Sequence, residues 1–473
     1  MILLQLLYNL LVVKIAIKRY RRVYRRGNKS KAIKGIQKVA SFCSHNLTGY
    51  YYSEGLENLL DTIADDSLQK LSVKQFNGIV AGSNICHVFT EVYTIGGHTR
   101  LAVNWINNDS SNRHSVIITG QKTGLPAVFS EMLAANKISE LIQLDKELPA
   151  LETARQLRTH LKGADLVVNH THPDDVNSFL ALSDTGGRPV LHMNHADHVA
   201  WLGNHIDDML ATYRENTIEK EKKNRGIDQV KPLPIAIKTK ITSLSKPAAR
   251  AKLGLTEDQV MLLTIAGAYK FTPAYQWNYF SAIRKVLDKY PQAILYIIGM
   301  GDDHTLSKKY KHQRIIFCGY LDDTSIHQSA TDIYVECFPF PSFTSLLEAS
   351  LNGLPCQLNY SPVNLSRLFP DNDAFVYPAN EEQWGAELGK QINDTGYRQQ
   401  QASKQQQYVY ANYSDEGEWM KKLGNIYSEI TPLALSAKRK RKAGFDFGMD
   451  EKLKFKVMNK YSLVDPLRIM FLK

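Results

Sequence analysis

The chain has 473 residues, of which 44% are hydrophobic and 22% charged, so it is long enough for two domains with full cores and has an ordinary globular composition. Its five cysteines are scattered and form no CxxC pair, which argues against a disulfide framework or a structural zinc site and favours a reducing, cytoplasmic compartment. The net charge of +11 is concentrated at the two ends, so the sequence does not predict a body that binds nucleic acid.

The first predicted element, residues 1–40, is a basic amphipathic segment. Met1–Val13 is almost wholly apolar, and the segment holds eleven Lys or Arg residues and no acid. The apolar run is shorter than the roughly 20 residues that cross a bilayer, and it lacks the charge order and cleavage site of a secretory signal. We therefore expect an interfacial helix on an anionic membrane surface, with leucines in the acyl boundary and cations on the headgroups. The alternative is an ordinary first helix that packs on the domain and has a solvated basic face.

The other end, residues 433–473, is predicted to be a basic tail. It contains the run Lys438–Lys442, three further lysines beside Phe455, and an apolar end from Ile469 to Leu472. A second membrane contact and a disordered basic tail explain this composition equally well. Nucleic-acid binding is a weaker third interpretation, because no recognisable nucleic-acid-binding domain accompanies the charge.

Residues 41–225 are predicted to form a Rossmann-like domain. The strand Ile85–Phe89 leads through the turn Thr94–Arg100, which contains Gly97 and His98, into an apolar-periodic helix. A strand, a glycine-rich turn and a helix are the usual opening of a doubly wound α/β domain. Gly97 would let the backbone approach a ligand closely, and His98 would lie at the edge of the sheet where such domains bind ligands. A tight turn with an exposed histidine explains the pattern about as well.

Two later strands of this domain run into histidine-rich turns, Asn169–Asp174 and Asn194–His198. Because the carboxyl ends of parallel strands share one edge, we expect these turns to converge. The polar side chains involved are His170, His172, His195, Asp197 and His198. A metal cluster is one interpretation, but HxH and HxDH spacing without a helical HExxH frame is poorly specific. We instead expect no metal, and a general base for an acceptor hydroxyl among His98, His195 and Asp197.

A charged stretch followed by prolines predicts a linker at residues 226–250, and a second Rossmann-like domain is expected at 251–432. The buried strand Val260–Ile265 opens this domain, and the loop after it contains Lys270. A lysine in that position is placed to meet a diphosphate as a point charge. A solvated loop lysine is the ordinary alternative.

The most informative stretch of the second domain runs from Phe338 to Gln357. A buried strand leads into a proline turn and then into a helix that Ser342 or Thr344 can cap. Free N–H groups at such a helix start, reinforced by the hydroxyls of Ser342, Thr344 and Ser345, form an anion site. Glu348 lies about one turn further in, where it can accept a hydrogen bond from a sugar hydroxyl. Together these features predict a nucleotide-sugar site, and a capped helix with a solvated glutamate is the plain alternative.

Residues 255–360 resemble the catalytic half of nucleotide-sugar glycosyltransferases of the GT-B fold, with particular likeness to the O-GlcNAc transferase group and its bacterial cytoplasmic N-glycosyltransferase relatives. Ala268–Pro273 is similar to the lysine loop that meets the diphosphate. Arg314–Phe317 resembles the strand before the base-binding loop, which here would be Gly319–Leu321. Ser342–Glu348 resembles the phosphate-binding threonine turn with its ribose-binding acid, and Asn352–Pro355 also fits.

The sequence also departs from that group. Phe343 stands where the group has a histidine before the threonine, and the acid is Glu348 where the group usually has Asp. The paired-glutamate motif of the broader retaining GT-B group needs an acid eight residues before Glu348, and Phe340 stands there. His98 and His195 match the first-domain histidines of the group only loosely, so a retaining or inverting outcome stays open. Tetratricopeptide repeats are missing, and a protein-modifying role does not carry over.

The resemblance implies an α/β protein of the GT-B fold, with two Rossmann-like doubly wound domains facing a cleft. It implies transfer of a sugar from a nucleotide-sugar, with UDP expected. The charge of the basic, apolar amino terminus adds the expectation of a glycan or lipid-linked acceptor at the inner face of the cytoplasmic membrane. The expected donor contacts are Gly97, Lys270, Tyr320, Leu321, Ser342, Thr344, Ser345 and Glu348. Neither a cofactor nor a nucleic-acid partner is expected. The alternatives are a sugar-nucleotide epimerase of the same fold, which needs no acceptor, and a non-catalytic membrane-peripheral protein, which binds no nucleotide.

Overall fold

A computed structural model describes residues 2–93, 97–238, 244–360, 367–448 and 452. The chain divides into two compact units, which we call the first unit (Met1–Ala236 with Trp419–Lys473) and the second unit (Ile237–Glu418). Each unit is built on a parallel sheet whose apolar strands alternate with helices, which is the layer arrangement that buries such strands on both faces.

The strands described in the first unit are β1 Asn84–Phe89, β2 Arg113–Ile118, β3 Glu140–Gln143, β4 Leu166–Asn169, β5 Val190–Asn194, β6 Met209–Thr212 and β7 Val230–Pro232. Its helices up to that point are α1 Ile2–Arg25, α2 Lys29–His45, α3 Glu54–Ser67, α4 Gly97–Asn108, α5 Ala127–Ala134, α6 Ala150–Leu161, α7 Val176–Leu182 and α8 Ile218–Arg225. The described strands pair in the order β3-β2-β1-β4-β5-β6-β7, so the order reverses between β1 and β4.

The strands described in the second unit are β8 Val260–Ile265, β9 Ala293–Ile298, β10 Ile315–Phe317, β11 Ile333–Val335 and β12 Cys356–Gln357. Its helices are α9 Lys246–Lys252, α10 Tyr279–Lys289, α11 Thr305–Lys309, α12 Ser325–Ala330, α13 Phe343–Leu351, α14 Glu381–Asn393 and α15 Thr395–Val409. The described strands pair in the order β10-β9-β8-β11-β12, so the order reverses between β8 and β11.

The chain returns to the first unit through α16 Glu416–Glu429 and α17 Leu435–Lys438. The indole of Trp419 donates to the carbonyl of Pro234 at 2.9 Å, and the hydroxyl of Tyr427 accepts from the indole of Trp105 at 3.0 Å. These contacts explain why the unit boundary falls at residue 418, inside the predicted second domain 251–432. The predicted linker 226–250 also differs from the structure, because it contains β7 of the first sheet and α9 of the second unit.

The amino-terminal segment 1–40 is part of the first unit's core. Val12, Ala16 and Tyr20 of α1 are buried against Ile33 and Ile36 of α2 in one apolar cluster. One face of α1 is therefore buried within its own domain, as the alternative interpretation expects, and contact of the other face with a membrane stays a prediction. Among the described residues, no helix is both long enough and apolar enough to span a bilayer.

The basic run Lys438–Lys442 is docked on the first unit by acidic partners. Lys438 is 2% exposed and its ammonium lies 3.1 Å from the Asp208 carboxylate, while Arg439 pairs with Asp65 at 2.7 Å and Lys442 with Glu54 at 2.8 Å. This part of the predicted tail 433–473 is therefore ordered on the first unit, and Lys442 stays 76% exposed. The rest of that prediction, from residue 449 on, lies outside the described residues apart from Lys452.

Candidate functional site

The second unit brings two predicted ligand contacts to the point where its strand order reverses. Lys270 follows β8, and the start of α13 follows β11, the strand that pairs with β8. In open parallel sheets the loops at such a point separate and leave a crevice at the carboxyl ends of the strands. The topology therefore places a cationic loop and a helix start at the same edge of this sheet.

The loop that carries Lys270 is joined directly to the turn before α13. It forms a short 3-10 helix, Ala268–Phe271, that the fully buried ring of Phe271 anchors to the core. The ammonium of Lys270 donates to the carbonyl of Pro341 at 2.9 Å, and the amide of Phe340 donates to the carbonyl of Lys270 at 3.3 Å. These bonds position the lysine charge beside the start of the helix.

The first turn of α13 presents the predicted hydroxyl residues at this edge of the sheet. Ser342 precedes the helix, and its hydroxyl lies 3.3 Å from that of Ser345. Thr344, Ser345 and Glu348 are partly exposed, whereas Leu346, Leu347 and Leu351 are buried. The first-turn N–H groups of any helix lack partners within the helix, so this end attracts anions.

Glu336, which the sequence reasoning missed, organises the turn between β11 and α13. One carboxylate oxygen accepts the amides of Cys337 and Ser342, each at 2.8 Å, and the other oxygen is buried without a hydrogen-bond partner among the described residues. Burial raises the pKa of Glu336 above its ordinary value, although Ser342 and the Lys270 charge oppose the shift. An acid directly after a buried apolar strand was the signal that could have revealed it.

The predicted base-binding loop, Gly319–Leu321, lies at the same edge of the sheet. The amide of Gly299, at the end of β9, donates to the carbonyl of Gly319 at 2.7 Å. The Tyr320 side chain is 86% exposed, and its hydroxyl lies 3.8 Å from the position a Cβ on Gly267 would occupy. Tyr320 thus lies close to the loop that carries Lys270. A cavity of about 510 Å³ elsewhere in the unit lies between β12, α14 and α15, and none of these donor contacts lines it.

The first unit gathers the predicted histidines at its own point of strand-order reversal, between β1 and β4. The rings of His98 and His195 stack with centroids 5.1 Å apart, and His172 lies 6.2 Å from His98. Gly97 opens α4, and residues 94–96 of the predicted turn lie outside the described residues. The two histidine-rich turns therefore converge at one edge, as their strand positions predict.

His98 and His195 each keep one nitrogen free of backbone contacts. Nε2 of His98 donates to the carbonyl of Glu91 at 3.1 Å, and Nδ1 of His195 donates to the carbonyl of Met193 at 3.2 Å. Lone pairs therefore remain on Nδ1 of His98 and Nε2 of His195. Burial lowers the pKa of both imidazoles, so both are neutral near pH 7 and keep that lone pair, and the same burial makes them weaker bases than an exposed histidine.

Asp197, the third predicted base, is held in a buried ion pair. Its carboxylate lies 2.6 Å from Nη2 and 2.7 Å from Nε of Arg214, and its other oxygen lies 3.4 Å from Nδ1 of His198. Burial raises the pKa of Asp197, but Arg214 and His198 together outweigh it and hold this pKa well below its ordinary value. A carboxylate held in this way is a poor proton acceptor, which argues against the predicted base role. Among the described residues, no three His, Cys, Asp or Glu side chains are arranged to hold a metal ion.

No family model matches the chain, and a search of curated proteins finds no relative. Solved structures do match. The O-GlcNAc transferase of Thermobaculum terrenum, as a mutant, aligns with a TM-score of 0.54 at 12% identity over 90% of this chain and 83% of its own. HepE of Anabaena, in complex with UDP and glucose, aligns with a TM-score of 0.54 at 13% identity over 74% of this chain and 100% of its own.

A glycosyltransferase of Rickettsia africae aligns with a TM-score of 0.56 at 13% identity over 74% of this chain and 98% of its own. At such low identity the similarity concerns the fold. The chain therefore has the GT-B fold, with two Rossmann-like α/β domains, as the sequence analysis predicts.

Proposed function

We propose that the protein is a glycosyltransferase that moves a sugar from a nucleotide-sugar, with UDP as the nucleotide, to a glycan or lipid-linked acceptor. The observation that carries this proposal is the joining of the Lys270 loop to the α13 start, through the 2.9 Å bond from Lys270 to Pro341. A cation and a helix amino terminus at one crevice suit a diphosphate, whose negative charge increases as the sugar leaves. The fold of HepE, which binds UDP and glucose, supports the choice of donor.

Each predicted donor contact takes a role from its position in the second unit. Lys270 and the first turn of α13, with Ser342, Thr344 and Ser345, bind the diphosphate. Glu348 accepts hydrogen bonds from the ribose, and Tyr320 with Leu321 contacts the base. The neutral imidazoles of His98 and His195 in the first unit take the proton of an acceptor hydroxyl.

The test is release of UDP from a panel of UDP-sugars, measured with and without candidate acceptors. Glu348→Ala removes the ribose contact, and Glu382→Ala is the matched control because Glu382 is exposed on α14. We expect acceptor-dependent UDP release that falls at least tenfold in Glu348→Ala and is unchanged in the control. Conversion of a UDP-sugar into its epimer without any acceptor would instead identify an epimerase.

We also propose that the protein works at the inner face of the cytoplasmic membrane and that α1 provides the contact. Although α1 packs on its own domain, its outer face exposes five large apolar side chains: Leu3, Leu4, Leu7, Leu11 and Ile15, at 41–72% of their surface. The later part of the same helix, from Lys14 to Arg25, carries exposed cationic side chains. An apolar stripe beside uncompensated cations suits an anionic lipid surface.

Sedimentation with vesicles tests the membrane contact. We expect binding to phosphatidylcholine vesicles that contain phosphatidylglycerol, weaker binding to phosphatidylcholine alone, and loss of binding in Leu4→Ser/Leu7→Ser/Leu11→Ser. Val73→Ser/Val80→Ser is the control, because these valines are 88% and 66% exposed outside α1. Equal sedimentation of both variants would contradict a specific role for α1.

A further inference from the structure

Three buried histidines of the first unit form a continuous chain across neighbouring strands. Nε2 of His170, just after β4, lies 3.0 Å from Nδ1 of His87 on β1. Nε2 of His87 lies 3.0 Å from Nδ1 of His114 on β2. All three residues are at most 2% exposed. Polar groups are costly to bury unless they are paired, and here each imidazole is paired with the next. Packing alone does not explain such a row.

One backbone carbonyl determines which nitrogen of each ring carries the proton. Nε2 of His114 lies 2.9 Å from the carbonyl oxygen of Asp109, which can only accept, so His114 carries its proton on Nε2. Nδ1 of His114 is then an acceptor and receives Nε2–H of His87. Nδ1 of His87 in turn receives Nε2–H of His170. The chain therefore ends in a lone pair on Nδ1 of His170, an atom without a hydrogen-bond partner among the described residues.

The two ends of this chain differ in electrostatic surroundings. His170 lies at the carboxyl edge of the sheet, where the titratable groups that face it are His98, His192 and His195. His114 has the Asp109 carboxylate 3.5 Å from its Nε2. The Asp109 carboxylate therefore attracts positive charge toward the far end of the chain, whereas burial among other histidines opposes a charge on His170.

The surroundings also separate the rings from water. The ring of Phe89 stacks on His170 with centroids 4.5 Å apart, and Trp105 meets His87 edge-on at 5.4 Å. Burial holds the pKa of both histidines well below the ordinary range. At the far end, Asp109 accepts the hydroxyl proton of Tyr427 at 2.5 Å, which helps to keep the carboxylate ionised.

We propose that His170, His87 and His114 form a proton relay that carries positive charge from the histidine-lined edge of the first unit to the Asp109 carboxylate. One proton enters at Nδ1 of His170. The Nε2 proton of His170 passes to Nδ1 of His87, and the Nε2 proton of His87 passes to Nδ1 of His114. His114 then holds protons on both nitrogens beside Asp109, and reversal of the steps returns the proton.

The relay extends the proposed function, on which its catalytic purpose rests. In the proposed function an acceptor hydroxyl gives its proton to His98 or His195 as it attacks the sugar, and the relay requires that these histidines, which face His170, pass the proton on to Nδ1 of His170. Moving the charge away leaves those imidazoles neutral at the reacting edge. His87 and His114 are thus positioning residues that touch no substrate.

The direct test follows the ring nitrogens by NMR in full-length protein labelled with ¹⁵N-histidine, with single His→Gln variants for assignment. We expect Nε2–H forms for all three histidines at neutral pH. On acidification His114 should become doubly protonated while His170 and His87 change to Nδ1–H forms. Charging of His170 itself, or no change of form before the protein unfolds, would overturn the proposal. This measurement tests the relay independently of the proposed function, because it does not require that sugar transfer be observed.

The variant His87→Gln distinguishes a proton relay from a purely structural role of the buried histidines. The glutamine amide can accept from His170 and donate to His114, but it cannot pass a proton on. We expect kcat to fall about 10- to 100-fold with the donor KM unchanged, and His170 to keep its Nε2–H form on acidification. The control, His160→Gln on α6, should behave as wild type. Wild-type kcat in a folded His87→Gln variant would overturn the relay, whereas loss of UDP binding in Lys270→Ala tests only the donor site of the proposed function.

Discussion

The ammonium of Lys270 and the carbonyl oxygen of Pro341 are joined by a hydrogen bond of 2.9 Å, although 70 residues separate them in the chain. The bond links the loops after β8 and β11, the two strands between which the sheet order reverses. The carbonyl oxygen bears no net charge, so this bond orients the ammonium group without adding an anion beside it. The cation is thus held in place beside the start of α13, as a diphosphate site requires.

Glu336 should be essential to the shape of this site. Glu336→Ala would leave the amides of Cys337 and Ser342 without their acceptor, at a cost of roughly 2–4 kcal/mol in the free energy of unfolding. Glu336→Gln keeps an acceptor oxygen and should cost much less. Urea denaturation measures both values, and UDP affinity should fall with stability in the alanine variant. Equal stability of the two variants would show that these hydrogen bonds do not hold the turn.

Asp197 should prove to be structural. Asp197→Ala removes the carboxylate that lies 2.6 Å from the buried Arg214 guanidinium and should destabilise the first unit by about 3–5 kcal/mol. In Asp197→Leu/Arg214→Met both charges are removed, so stability should return and transferase activity with it. A stable but inactive double variant would support Asp197 as the base after all.

Glu57 should make the stability of the first unit depend on pH. Its carboxylate accepts the amides of Gly203 and His205 at 2.9 and 2.8 Å, and burial raises its pKa from 4.5 to about 7. Because the folded state holds the proton more tightly, the stabilisation is complete below pH 4.5 and is lost as the pH rises through 7. The upper bound is about 3 kcal/mol, at 1.36 kcal/mol per pKa unit.

Urea midpoints at pH 5 and pH 8 test this effect. The stability difference between wild type and Glu57→Gln should be larger at pH 5 than at pH 8. The control is Glu219→Gln, because the Glu219 side chain is 85% exposed and should show no such dependence. A difference that is independent of pH would mean that Glu57 is already ionised at pH 5 in the folded protein.

The central strands of both sheets and the edge of the second unit that carries Lys270 were predictable because their signals are local. Each apolar strand, the loop with Lys270 and the hydroxyl-rich start of α13 can be recognised from its own short run of consecutive residues. The convergence of the two histidine-rich turns was predictable because both follow the carboxyl ends of parallel strands, which share one edge of the sheet.

The remaining features depend on contacts between distant residues. In the sequence, His87 and His114 look like ordinary residues of two strands. Only the order of the strands in the sheet shows that they lie in a row with His170. The charge of Lys438 was visible in the sequence, but its buried partner Asp208 was not. Likewise, the helical pattern near Trp419 predicts a helix but does not reveal which of the two units this helix packs on.

The measurement that tests the account most directly is calorimetric titration of UDP into wild type, Lys270→Ala and Lys311→Ala. Lys311 is an exposed lysine between α11 and β10 and serves as the charge-matched control. We predict that wild type and Lys311→Ala bind UDP with equal affinity and that Lys270→Ala binds at least tenfold more weakly, a loss of about 1.4 kcal/mol. Folded wild type that binds no UDP, or equal affinity in Lys270→Ala, would contradict the donor site at this edge of the second unit.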